Sequence, residues 1–141
     1  MPTTTLTRRV TFAAAHRYRR PEWDDARNAS TFGACSRPNY HGHSYVCDVT
    51  VRGPVDPLTG FVVDLGLLDR ALQSEVRDVF DHQNINLDVP EFADGLLVPS
   101  GENIARFILE RVQRTLGTAA TVTSVSVAED ATLSATYSID P

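Results

Sequence analysis

Residues 41–51, HGHSYVCDVTV, alternate without a break, and this period of two constrains the fold more than any other stretch. Successive side chains of a strand point to opposite faces. His41, His43, Tyr45, Cys47, Val49 and Val51 therefore share one face, and Gly42, Ser44, Val46, Asp48 and Thr50 share the other. Residues 5–16, TLTRRVTFAAAH, obey the same rule, with Leu6, Val10, Phe12, Ala14 and His16 together. If the two strands pair antiparallel, His16 at the end of the first arrives beside His41 and His43 at the start of the second.

The rest of the chain supplies what such a sheet needs. Residues 17–40 are rich in Arg, Pro, Asn, Asp and Ser and read as a long irregular excursion, a kind of loop more often functional than idle. GPVDPLTG (53–60) reads as a turn leading to a further short strand, FVVD (61–64). Asp64 is a helix N-cap, followed by Leu65, Leu68, Leu72, Val76 and Val79 at helical spacing, with the helix ending near FDHQNIN (80–86). After a second irregular connection, Ser100 caps another helix that buries Ile104, Ala105, Ile108 and Val112 and stops at Gly117. TVTSVSVAED (121–130) and LSATYSID (133–140) read as two strands joined by a short turn. The order β-β-α-α-β-β predicts an α+β fold with two helices on one face of the sheet. With no repeat, low-complexity tract or linker, residues 1–141 read as one domain.

Charge narrows the function. Thirteen basic residues face eighteen acidic ones, a net charge of −5, which argues against general nucleic-acid affinity. Every cation is an arginine, since the chain has no lysine, so an anionic substrate group must meet arginine, backbone N–H groups or a metal. The longest apolar runs, such as FVVDLGLL, are interrupted by charge and fall far below membrane-spanning length. The N-terminal segment lacks an apolar stretch of signal-peptide length, so a cytoplasmic location is expected, with Cys35 and Cys47 as reduced thiols.

Three imidazoles with an open fourth position form the arrangement of catalytic zinc, and His16, His41 and His43 are the candidates. A surface or hydrogen-bonded core role is the simpler account of any one of them. Cys35 lies in a polar loop, where a nearby metal or His82 would lower its pKa and let it act as a base, although free cysteine is often only a small buried hydrophobe. Cys47, on the apolar side of a strand, is packing. Asp81 and His82 are neighbours at a helix end, where histidine is favoured simply by the dipole. Glu129 continues the apolar parity of Val125 and Val127, an expensive place for a carboxylate unless it is paired, functional or already beyond the strand. Glu102 sits in the first turn of the second helix, where negative charge is favoured in any case.

Taken together, FAAAH (12–16), FGACSRPNYHGHSY (32–45), TGFVVDLGLL (59–68), FDHQNINLDVPEF (80–92), PSGENIA (99–105) and VSVAED (125–130) resemble the 6-pyruvoyl-tetrahydropterin synthase and 6-carboxytetrahydropterin synthase family. The resemblance implies the tunnelling fold (T-fold), an antiparallel four-stranded sheet with two helices on one side. Subunits of that fold join their sheets into barrels, as a trimer or a dimer of trimers (a homohexamer). It implies that His16, His41 and His43 bind Zn2+, that Cys35 is the catalytic thiol, and that Asp81 and His82 form a proton relay. Glu129 would anchor the pterin ring. Glu102, with Ser100 and Gly101, would approach the pterin, commonly from an adjacent subunit, and Asp81 and His82 can likewise act across a subunit boundary. The implied reaction is that of a lyase in tetrahydropterin biosynthesis, converting 7,8-dihydroneopterin triphosphate to a 6-pyruvoyl product with elimination of triphosphate.

Cys35 is followed by five residues before HGH, the spacing of the pyruvoyl enzymes, whereas the carboxy enzymes often have three. Two departures touch the pterin pocket: Ser100-Gly101 replaces the usual pair of hydroxyl residues, and DATLSATY comes after Glu129 without the usual Asn-rich turn. The alternatives are a 6-carboxytetrahydropterin synthase feeding queuosine or other deazapurine synthesis, and a non-catalytic pterin- or metal-binding T-fold protein. Retention of Cys35, Asp81, His82 and Glu129 argues against the last.

Overall fold

A computed structural model describes residues 2–139 of the chain. The two alternating segments form strands β1 (Thr4–His16) and β2 (His41–Gly53). They pair antiparallel over their whole length, with Phe12 opposite Tyr45, Ala14 opposite His43 and His16 opposite His41. Parity is as expected: Phe12, Ala14, His16, Tyr45, Cys47, Val49 and Val51 are all buried on one face.

Strand β4 (Thr121–Asp130) pairs antiparallel with β2 on its other side, and β5 (Leu133–Ser138) pairs antiparallel with β4. The last expected strand residue, Asp140, lies outside the described residues. The sheet gains a strand that the sequence pattern did not signal: Gln83–Asn84 (β3) pairs parallel with Ala14 and Ala15, giving the order β3-β1-β2-β4-β5. Four long antiparallel strands are thus extended by a two-residue parallel edge, too short to carry its own hydrophobic period.

Helix α5 (Gly101–Leu116) runs from the Ser100 cap to Gly117, which takes φ +58° and donates its N–H to the Gln113 carbonyl. Its Ile104, Ala105, Ile108 and Val112 lie on the core side with Val122, Val125 and Val127 of β4. The other helical stretch starts at the Asp64 cap as α2 (Leu65–Leu72), widens into a π-helical segment (Gln73–Arg77) and ends as α3 (Asp78–Phe80). Arg77, the last residue of the π segment, donates to the Thr11 carbonyl and, at 2.9 Å, to Asp81. A short turn α4 (Ile85–Asp88), capped by Asn84, and a 3-10 turn (Pro90–Phe92) complete the connection to α5.

Two expectations are corrected. The excursion 17–40 is not irregular throughout, because it contains α1 (Asp25–Phe32) and a 3-10 turn (Gly33–Ser36). Helix α1 lacks an apolar period. It is held by the Asp24 cap and by buried Asn28, whose amide accepts from Arg20 N and donates to the Arg20 and Asp24 carbonyls. FVVD is not a strand either. Only Val63 of the run is buried, and Phe61 is tied back into the preceding turn through Asp56 and Thr59.

Candidate metal centre and catalytic cavity

The β1–β2 register brings three imidazoles together at one end of the sheet. Ring centroids are 4.6 Å apart for His16 and His41, 5.1 Å for His16 and His43, and 5.0 Å for His41 and His43. One nitrogen from each lies within 4.8 Å of the others. His16 is wholly buried, and its Nδ1 is 2.8 Å from the Pro99 carbonyl, an acceptor only. That bond assigns the proton to Nδ1 and leaves Nε2 the unprotonated nitrogen, 3.3 Å from the Tyr45 hydroxyl; an outer carbonyl of this kind orients metal-binding histidines. Burial lowers the His16 pKa to about 4, and burial followed by the nearby His43 lowers that of His41, so both rings favour the neutral, ligating form. His43 Nε2 is buried without a hydrogen-bond partner among the described residues. An orphaned nitrogen facing two neutral imidazoles fits a divalent cation of the zinc type, which these three residues can hold.

Glu129 closes the cluster on the cavity side. Its parity is maintained, but the β4–β5 register shifts between Ala128 and Asp130, leaving Glu129 at a bulge. The residue is only 8% exposed, with Oε2 3.8 Å from His43 Nε2 and Oε1 4.0 Å from His16 Nε2. Both separations exceed hydrogen-bond length. Its hydrogen bond comes from Tyr18, whose hydroxyl donates to Oε1 at 2.7 Å. Burial, then the bond to Glu129, raises the Tyr18 pKa and keeps that phenol a neutral donor.

Beyond Glu129 opens a cavity of about 360 Å³ lined by Tyr18, Gly101, Glu102, Val127, Glu129 and Leu133–Thr136. It is floored by the N-terminus of α5. Ser100 Oγ accepts from Asn103 N at 3.2 Å, so this hydroxyl serves the helix cap and keeps only its own O–H to offer elsewhere. Glu102 is exposed in the first turn, and its carboxylate makes no ion pair or hydrogen bond among the described residues. Gly101 has a steric reason: a Cβ there would stand 3.3 Å from the Ala135 Cβ, so the small pair Gly101–Ala135 lets β5 lie close to the helix end.

Cys35 is half-buried in the 3-10 turn, and its carbonyl accepts from Tyr18 N at 2.8 Å, tying the thiol-bearing loop to the segment after His16. Cys47 is buried among apolar residues, and burial pushes its thiol up to about 12, leaving it inert. His82 is outside the histidine cluster and 84% exposed at the β1 edge, 3.0 Å from Asp81 Oδ2 through Nδ1. Sequence reasoning missed Tyr18. It stands two residues after His16, and the parity that aligned the histidines would have put it on the same side had the strand been extended past His16.

A sequence profile described as 6-pyruvoyl tetrahydropterin synthase matches residues 5–140. The 6-pyruvoyl tetrahydrobiopterin synthase of Homo sapiens is 40% identical over 111 residues, spanning 79% of this chain and 75% of that protein. The solved structure of Caenorhabditis elegans 6-pyruvoyl tetrahydropterin synthase superposes with a TM-score of 0.92 at 35% identity, covering 99% of this chain and 98% of that one. A more distant relative, dihydroneopterin monophosphate aldolase of Pyrococcus furiosus, is 30% identical over 77% of this chain and 74% of that protein.

Proposed function

The chain belongs to the 6-pyruvoyl tetrahydropterin synthase family, and we propose that it is a zinc-dependent lyase acting on 7,8-dihydroneopterin triphosphate, releasing triphosphate and a 6-pyruvoyl tetrahydropterin. The observation that carries this reading is the three-histidine cluster with its orphaned His43 Nε2, separated by Glu129 from a cavity that offers two carboxylates. Bound at His16, His41 and His43, zinc would supply Lewis-acid polarisation of the substrate's side-chain oxygens.

The protein groups divide the remaining work. Cys35 accepts a proton from the substrate side chain as thiolate, and His82, oriented by Asp81, returns one. The pterin presents a ring N–H and an amino group side by side, a donor edge that suits a carboxylate. Glu129 takes this anchoring role by resemblance. Glu102, at the cavity with both oxygens free, is a second carboxylate for the same edge, while Glu129 also lies near enough to the histidines to handle protons there. Ser100 contributes by capping the helix that presents Glu102.

The proposed assembly is a trimer or dimer of trimers. The sheet ends in β5 on one side and, beyond the two residues of β3, in the outer edge of β1 on the other; joining such edges removes unpaired backbone groups. His82 projects from the β1 edge, which suits a relay acting near a subunit boundary. The cytoplasm is the proposed location, and no helix among the described residues is long and apolar enough to cross a membrane.

The test is product mass after incubating zinc-loaded protein with 7,8-dihydroneopterin triphosphate. A 6-pyruvoyl species is expected. A 6-carboxy species would give the chain to the sister activity that feeds queuosine and other deazapurines. A pterin cleaved at its side chain would point to aldolase chemistry, as in the name of the Pyrococcus furiosus relative. Stoichiometric pterin binding without conversion would make it a non-catalytic binding protein.

A further inference from the structure

We propose that Tyr18 is a positioning residue that holds the Glu129 carboxylate off the histidine cluster and so keeps the fourth metal position open for an incoming ligand. The inference rests on the reading of the cluster as a metal site. Glu129 is poised on the edge of becoming a ligand itself. In a tetrahedral site with bonds of about 2.0–2.1 Å, neighbouring ligand atoms stand about 3.4 Å apart. Glu129 Oε2 is 3.8 Å from His43 Nε2, and Oε1 is 4.0 Å from His16 Nε2. A shift of about half an ångström would bring Oε2 to that ligand–ligand separation from His43, or Oε1 to it from His16.

What opposes that shift is one hydrogen bond. Neither histidine nitrogen is close enough to bond the carboxylate, and the Tyr18 hydroxyl, at 2.7 Å from Oε1, is its hydrogen-bond donor among the described residues. Tyr18 is itself anchored at three points. Its N–H donates to the Cys35 carbonyl at 2.8 Å, and its ring meets His16 edge-on at 5.0 Å and Phe32 at 5.8 Å. The phenol therefore has a fixed origin from which to hold the carboxylate. A merely space-filling tyrosine would need the ring and not the hydroxyl.

The test uses cobalt-loaded protein and azide, a small anion that takes an open coordination position with a change in the visible spectrum. Wild-type protein should bind azide. Tyr18→Phe keeps the ring and its packing. It should bind cobalt at least as tightly as wild type and azide at least tenfold more weakly, because Glu129 has moved into the open position. Tyr18→Phe/Glu129→Gln should recover wild-type azide affinity. Unchanged azide affinity in Tyr18→Phe at an unchanged melting temperature overturns the proposal, as does cobalt affinity that falls with the hydroxyl. Failure of wild-type protein to take up cobalt overturns the metal reading and this inference together, whereas normal cobalt uptake with an indifferent Tyr18→Phe removes the inference alone.

Discussion

Asp81 Oδ2 lies 3.0 Å from Nδ1 of His82, its immediate neighbour. Adjacent residues ordinarily diverge, and the contact exists because His82 adopts a left-handed backbone, φ +61°, with its N–H on the Ala13 carbonyl at 2.6 Å. Asp81 is fixed from the other side, accepting from Ala13 N at 2.9 Å and from Arg77 at 2.9 Å. The Ala13 hydrogen bond is the first cause holding its pKa below the ordinary carboxylate range; the His82 hydrogen bond and the Arg77 charge add to it. The ionised carboxylate orients the imidazole through Nδ1.

Asp81→Asn should therefore leave metal content unchanged and reduce turnover by about 10²-fold, the lower range for a disabled acid–base group. Steady-state kinetics alongside metal analysis checks this. Full turnover in the variant would remove Asp81 from the relay.

Cys35 and His41 should separate chemistry from metal retention. Cys35→Ala keeps all three imidazoles and should bind zinc normally while losing about 10²-fold or more in rate. His41→Ala leaves two ligands and should lose both zinc and turnover. A Cys35→Ala enzyme as fast as wild type would exclude the thiol as the base.

The two carboxylates call for a kinetic split. Glu102 is exposed and uncommitted at the cavity, so Glu102→Gln should raise KM about tenfold or more with a smaller change in kcat, since an anchor contributes binding. Glu129 touches both cavity and histidine cluster, so Glu129→Gln should weaken pterin binding and lower kcat together. Zinc content should stay near wild type in both. Unchanged pterin affinity in Glu129→Gln would count against its anchor role.

The histidine cluster was legible because it needs only two local periods and one antiparallel pairing, and the register His16–His41 delivered it. Helix caps at Asp64 and Ser100 and the stop at Gly117 were legible for the same reason, each being a local chemical signal. Less was readable where a contact depends on long-range register. That Glu129 lies against the histidines requires Cys47 to pair with Val127 and a bulge to come after it, neither of which has a sequence period. Helix α1 escaped because its buried Asn28 stands where an apolar residue would have signalled a helix. Gly101 read as a missing hydroxyl, but its neighbour Ala135, 34 positions away, gives it a packing role.

The metal-free protein should also lose stability in a defined acid window. The His16 pKa is lowered from 6.5 to about 4, first by burial, with the Pro99 bond opposing and His41 and His43 adding to the fall. Tyr18, Tyr45 and Glu129 also face this ring. Above about pH 6.5 the ring is neutral folded or unfolded, and it contributes no pH dependence. Between about 6.5 and 4 the unfolded chain binds a proton that the folded one refuses, so stability falls as pH falls; below about 4 both forms are protonated and the slope vanishes. Two and a half pH units correspond to a loss of about 3 kcal/mol. Urea unfolding of chelator-treated protein at several pH values from 7 to 4 checks this against His16→Phe, in which the component from this ring should disappear. Equal slopes in the two proteins would show that His16 does not carry the acid sensitivity.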